Sequence, residues 1–177
     1  RTEAVGRKVR AAAAGPGPGG ISTLAFSAID MALWDIKGKA PGQSLAIMLG
    51  GLRDRVPTYA SGALSRTSPL DHVIKAGTVL VEKGFRQMKM QLALPGDTTP
   101  AREVERARLI REAVGPDVDL MWESNHRGSV NRASDIGRRI EEFHLFWLED
   151  VTVHDDYTGL ARVAGALATP LARGECV

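Results

Sequence analysis

The feature that most limits what this chain can fold into is a repeating unit: a short apolar run ending on a polar residue, then a stretch of helical periodicity. Tyr59, Lys89, Glu123, Glu149 and Glu175 mark the ends of successive runs and are 30, 34, 26 and 26 residues apart. Apolar runs of this length between turn signals read as buried strands, expected here at 56–62, 85–92, 118–123, 145–149 and 169–175. The segments between them carry apolar residues at i, i+3 and i+4. The first helix is expected to have Ser68 as N-cap and Pro69 as first residue, with Val73, Ala76 and Leu80 as its stripe and Gly84 as its stop. The second starts at Thr99-Pro100, uses Val104, Ala107, Ile110 and Val114, and stops at Gly115-Pro116. Ile136, Ile140 and Phe143 carry the third; Asp155 or Asp156 caps a fourth built on Leu160, Val163 and Leu167. Units strung this way make a parallel sheet, and right-handed crossovers lay successive strands side by side.

Three run ends are glutamates at equal intervals, so three neighbouring strands would present a carboxylate at the same end. Any one of them alone reads equally well as a helix cap or a solvated loop acid. Three in sequence repel one another unless a cation stands between them, and an oxygen-seeking ion such as Mg²⁺ suits such a set. Five parallel strands with helices between them suggest an eight-unit barrel cut short, whose chemistry would lie at the strand C-termini, where the acids are. An open doubly wound sheet is the alternative, but no Gly-x-Gly-x-x-Gly loop follows any strand.

Upstream of the repeat, residues 1–14 favour a helix that Gly15-Pro-Gly-Pro-Gly-Gly20 interrupts. Ser22–Lys39 reads as an amphipathic helix with a broad buried face through Leu24, Phe26, Ile29, Leu33 and Ile36, and a short helix follows over 43–49. The chain has 177 residues, 44% hydrophobic and 25% charged, with net charge +2. This is an ordinary globular composition, and the basic run at 1–10 lacks the aromatics of a nucleic-acid surface. No apolar run reaches the ~18 residues of a membrane span, and the start has no signal-peptide core, so a cytoplasmic location without membrane or nucleic-acid partners is expected. The single Cys176 permits no internal disulfide and lacks an evident histidine partner.

Phe26-Ser-Ala-Ile-Asp-Met-Ala-Leu-Trp-Asp-Ile-Lys-Gly-Lys-Ala40 followed by Leu45-Ala-Ile-Met-Leu-Gly-Gly51 resembles the signature helix of the mandelate racemase and muconate lactonizing enzyme group of the enolase superfamily. Lys89 on the second strand, Glu123-Ser-Asn125 on the third, Trp147-Leu-Glu-Asp150 on the fourth and Gly174-Glu175 match the group in order and spacing. The resemblance implies an α/β fold, a partial (β/α) TIM-type barrel of about five βα units preceded by helices of an α+β capping domain. Residues 1–55 would be the helical remnant of that domain and 56–177 the N-terminal part of the barrel. It also implies Mg²⁺ held by Glu123, Glu149 and Glu175, a small carboxylate substrate, and loss of the proton alpha to that carboxylate, with the metal stabilising the enediolate. Lys89 matches the first lysine of the family's Lys-x-Lys pair and is the catalytic candidate. Gln91, Asn125 and His126 are candidates to contact substrate.

Three departures qualify the resemblance. Glu123 stands where the family has aspartate, one methylene longer. Gln91 replaces the second lysine of the pair; it shares Lys89's face of the strand but takes no proton at neutral pH. The family's other base, a histidine held by an aspartate, belongs to strands later than the five seen here. The expected function is thus a fragment of a Mg²⁺-dependent acid-sugar dehydratase, since elimination proceeds with one base. Racemisation, cycloisomerisation and a noncatalytic fragment are the alternatives. The chain alone is expected to be incomplete and inactive, and the full-length protein a homo-oligomer. His154 is expected in the helix cap, His72 and His144 in structural roles, and Trp122 and Trp147 in the core.

Overall fold

The computed structural model describes residues 2–12, 20–96 and 98–175; the glycine–proline break at 15–19 and Cys176 lie outside them. The chain divides into two compact units, Arg1–Pro57 and Thr58–Val177.

The first unit holds α1 (Thr2–Ala12), α2 (Gly20–Lys39) and the single turn α3 (Leu45–Met48). Ser44 caps α3 by accepting from the Ile47 amide. Phe26 of α2 packs beside Gly6 of α1, and Arg10 stacks its guanidinium over that ring at 3.9 Å. The broad buried face expected of α2 is not there: Phe26 is buried, but Leu24 is 73% and Ile36 63% exposed. Helix α1 and one turn cover only a strip of a 20-residue helix, and the rest of its apolar stripe stays open.

The second unit alternates strand and helix: β1 (Ala60–Leu64), α4 (Leu70–Glu82), β2 (Gln87–Gln91), α5 (Pro100–Val114), β3 (Asp119–Glu123), α6 (Val130–Ile140), β4 (Leu148–Glu149), α7 (Tyr157–Ala166) and β5 (Leu171–Ala172). All neighbouring strands are parallel and their order is β1-β2-β3-β4-β5. A doubly wound sheet reverses its strand order at a switch point. This one runs monotonically, with each helix packed on the next, as along the arc of a (β/α) barrel. The strands are shorter than expected. β1 begins at Ala60, four residues later than the apolar run; β4 and β5 are two residues each. The α4 cap also moves by one, with Pro69 as N-cap and the helix opening at Leu70.

The pleat sorts the side chains. On β2, Met88 and Met90 join Leu64, Ile110, Leu120, Trp122, Ile136 and Leu148 in the core, while Gln87, Lys89 and Gln91 take the opposite face. Trp122 is therefore a core residue, as expected, whereas Trp147 is only half-buried and joins the polar face. Beneath the sheet, fully buried Glu103 of α5 accepts from the Ala93 amide at 2.6 Å and from Arg132 of α6 at 2.6 Å. One acid thereby ties the loop after β2 to two helices.

Candidate active site and its carboxylates

The register of the sheet sets the site. Gln91 pairs with Glu123, and Glu123 with Glu149, so these residues lie abreast at the C-terminal ends of β2, β3 and β4. Glu149 in turn pairs with Ala172, not Glu175. The equal 26-residue intervals thus do not give equal register. Strand β5 stops at Ala172, and Glu175 lies three residues further on, after Gly174.

Glu123 and Glu149 converge on Lys89. The ammonium lies 3.0 Å from Glu123 Oε2 and 2.6 Å from Glu149 Oε1. The second oxygens are also engaged: Glu123 Oε1 accepts from the Asn125 amide at 2.7 Å, and Glu149 Oε2 from Trp147 Nε1 at 2.9 Å. Burial pulls the Lys89 pKa down, but its bonds to Glu149 and Glu123 outweigh that, and the net shift is upward. The two acids move in opposite directions. Burial dominates at the deeper Glu123 and raises it; at Glu149 burial is overcome by the Lys89 and Trp147 bonds, and its pKa falls. Lys89 is therefore held as an ammonium.

A second layer surrounds this pair. Arg66, from the loop after β1, is 6% exposed and donates to the carbonyls of Glu123 and Ser124 and to Asn125 Oδ1. Gln91 accepts from the Arg66 amide and the Ser65 hydroxyl and donates to Asn125 Oδ1. Asn125 and Gln91 thus belong to one network, which fixes the loop that carries Glu123. Backbone strain gathers in the same place: Ala93, Asn125, His126 and Asp150 all have φ between 48° and 60°, at the ends of three consecutive strands. Gly128 closes the loop after β3, where a Cβ would meet the Val151 carbonyl oxygen at 2.2 Å.

Glu175 is half-exposed and joins a different group. Its Oε1 lies 3.4 Å from His126 Nε2, which is also 3.5 Å from Asp150 Oδ2. Asp150 is 2% exposed. Burial, then the neighbouring Glu175 and Glu149, push its carboxyl up despite the opposing pull of His126. Two sets of donor atoms consequently lie within 4.8 Å of one another: Glu123, Glu149 and Asp150, and His126, Asp150 and Glu175. His154 does not cap α7. Asp156 does, accepting from the Gly159 amide, while the His154 ring meets His126 edge-on at 6.1 Å. His72 and His144 are exposed.

The first set is all oxygen and largely buried, and the Lys89 ammonium offsets only part of its negative charge. Those are the donors a hard divalent cation such as Mg²⁺ requires, so the residues fit that ion. Nothing in the sequence gives Arg66 a site role, and Trp147 and Asp150 are marked only as the ends of the Trp147-Leu-Glu-Asp150 motif. Arg66 lies in a Ser-Arg-Thr-Ser loop with no periodicity to mark it. Asp150 follows Glu149 directly, and strand alternation would turn it away; its positive φ brings it back.

A family model described as "Enolase C-terminal domain-like" matches residues 72–177, and "Mandelate racemase / muconate lactonizing enzyme, N-terminal domain" matches 3–50. The chain is 37% identical to L-talarate/galactarate dehydratase of Salmonella typhimurium, over 93% of this chain and 40% of that protein. It is 35% identical to D-galactarolactone cycloisomerase of Agrobacterium fabrum, over 90% of this chain and 42% of that protein. The crystal structure of the Salmonella dehydratase liganded with Mg and L-lyxarohydroxamate superimposes with a TM-score of 0.87, covering 98% of this chain and 44% of that one. The chain therefore spans less than half the length of these relatives.

Proposed function

The chain belongs to the mandelate racemase and muconate lactonizing enzyme group of the enolase superfamily, and on that premise we propose that it carries part of the active site of a Mg²⁺-dependent acid-sugar dehydratase. The observation that carries this reading is the convergence of Glu123 and Glu149, register partners on adjacent strands, on one buried positive charge. Glu123 and Glu149 would hold Mg²⁺, with Glu175 as the third ligand once its carboxylate turns from His126. Bound there, Mg²⁺ supplies Lewis-acid stabilisation of the negative charge that builds on the substrate carboxylate.

The remaining tasks fall to the protein. Lys89, once displaced from the two glutamates, would donate to a substrate oxygen in a binding role. Gln91 has no basic lone pair to offer and holds Asn125, whose amide nitrogen would meet the substrate's hydroxyls. His126 borders the same strand ends from the side of β4. Proton removal is assigned to the histidine that the family places on a later strand. Arg66 fixes the backbone of Glu123 and Ser124, and so the position of the Glu123 carboxylate. Likeness to a cycloisomerase supports a second outcome of the same first step, in which ring opening or closure replaces loss of water.

The test is Glu149→Gln in the full-length protein. Mg²⁺-dependent exchange of the substrate α-proton for deuterium, followed by NMR, is expected to disappear while the circular dichroism spectrum is kept. Undiminished exchange in that variant would overturn the assignment.

A further inference from the structure

We propose that His126, Asp150 and Glu175 form a second cation site beside the glutamate pair, with a donor set that selects a transition-metal dication such as Zn²⁺ or Co²⁺ over Mg²⁺. The proposal shares Glu175 with the Mg²⁺ site proposed above and adds His126 Nε2 and the Asp150 carboxylate, so the two readings are tested separately.

The tautomer of His126 comes first. Its Nδ1 lies 3.0 Å from the Thr152 carbonyl oxygen, which can only accept, so Nδ1 carries the proton. In the neutral ring the lone pair is then on Nε2. That nitrogen points at Glu175 Oε1 and Asp150 Oδ2, at 3.4 and 3.5 Å, and makes no hydrogen bond. Both oxygens of Asp150 are buried and likewise have no hydrogen-bond donor. An imidazole nitrogen and two carboxylates thus face one another without a hydrogen bond to His126 Nε2 or to either oxygen of Asp150, which is costly for a carboxylate as deeply buried as Asp150. A cation at their centre resolves the conflict.

The donor types decide which cation. One imidazole nitrogen with two carboxylates suits Zn²⁺, Co²⁺ and similar ions, whereas Mg²⁺ prefers an all-oxygen shell. The Thr152 carbonyl orients the imidazole as outer partners of metal-bound histidines do. The backbone supports the same geometry, since His126 and Asp150 both hold positive φ and the His126 amide donates to the Asp150 carbonyl at 2.8 Å. The strained turns after β3 and β4 therefore lock two ligands together, and Glu175 completes the set from beyond β5. Glu175 is also the third acid of the proposed Mg²⁺ site, so occupation of the second site draws it away from the first.

The experiment is titration of the full chain with CoCl₂, followed by the visible absorption of bound Co²⁺, with MgCl₂ as competitor. The expected result is a Co²⁺ band that millimolar Mg²⁺ does not remove. His126→Gln, which keeps bulk but offers no imidazole nitrogen, is expected to weaken Co²⁺ binding by more than the roughly tenfold that losing an outer partner of a ligand costs. Asp150→Asn is expected to do the same. Glu123→Gln should leave the Co²⁺ band in place, and its effect on Mg²⁺ affinity, read by calorimetry, tests the dehydratase reading separately. A band unchanged in both His126→Gln and Asp150→Asn, or removed by equimolar Mg²⁺, overturns the proposal. If either variant loses its native circular dichroism, the native protein decides. Its ¹⁵N imidazole spectrum, with four histidines to resolve, should show Zn²⁺ shifting one Nε2 resonance, and no shift would equally overturn it.

Discussion

Lys89 is the residue on which the site's charge balance turns. Its ammonium is shared between Glu123 and Glu149, and all three side chains are at least four-fifths buried, the Glu149 side chain being the most open at 17%. Breaking a buried ion pair by removing one partner leaves the other charge stranded, at a cost of roughly 3–5 kcal/mol. Lys89→Met is expected at the lower end of that range, because water reaches Glu149. The measurement is urea unfolding in EDTA, and Mg²⁺ should restore most of the loss. The pH dependence has a definite sign. Glu149 has a lowered folded pKa, so its contribution is present above the unfolded value of about 4.3 and is lost as pH falls through the folded value. Lys89 has a raised folded pKa, so its contribution is present below about 10.4 and is lost as pH rises through a still higher folded value. The gap in melting temperature between native protein and Lys89→Met should therefore be flat across neutral pH and narrow in acid. Arg66 gives a second residue-level expectation. Arg66→Met removes donors to two carbonyls and Asn125 and should cost roughly 2–3 kcal/mol, with the loop at 124–128 losing amide-exchange protection ahead of the helices.

At the scale of elements, the buried bond between Glu103 and Arg132 joins α5, α6 and the loop after β2. Glu103→Ala should destabilise by about 3 kcal/mol, less than a fully buried pair would, since Arg132 reaches solvent over a third of its side chain. In a double-mutant cycle, adding Arg132→Met should cost clearly less than the sum of the two single changes, and strict additivity would show that the pair is not coupled. Much at this scale could be read from sequence. The alternation of apolar runs and helical stripes marks five strands and their order, and it sets Glu123 beside Glu149. The misreadings share one cause. Periodicity reports which residues are buried, while register depends on where the ladder stops. Thr169–Glu175 looks like a seven-residue strand, yet only Leu171–Ala172 is strand, and Glu175 therefore arrives beside His126. Loop residues such as Arg66 carry no periodic signal at all, so their part in the site appears only when the chain is folded.

For the molecule as a whole, apolar surface is the dominant expectation. Ile21, Leu24, Met31, Ile36, Leu49 and Leu52 are each more than 60% exposed, and β1 and β5 are edge strands of the sheet. Exposed apolar groups and unpaired strand edges favour association with like surfaces. The 177-residue chain is expected to bind an apolar dye in its native state and to show a weight-average mass that rises with concentration in sedimentation equilibrium. A constant monomer mass without dye binding would contradict this. No helix among the described residues is long and apolar enough to cross a membrane.

On the proposed assignment, the ammonium between Glu123 and Glu149 also makes metal uptake an ion exchange. A dication that settles between the two carboxylates must first evict Lys89, so the site gains one unit of charge where a bare acidic pocket would gain two. Part of the metal's attraction is spent on the eviction, and the observed affinity is the difference between two cations competing for the same oxygens. Uptake should then depend less steeply on salt than the charge of the ion suggests. The displaced ammonium leaves the two carboxylates and is free to meet the next negative group that enters.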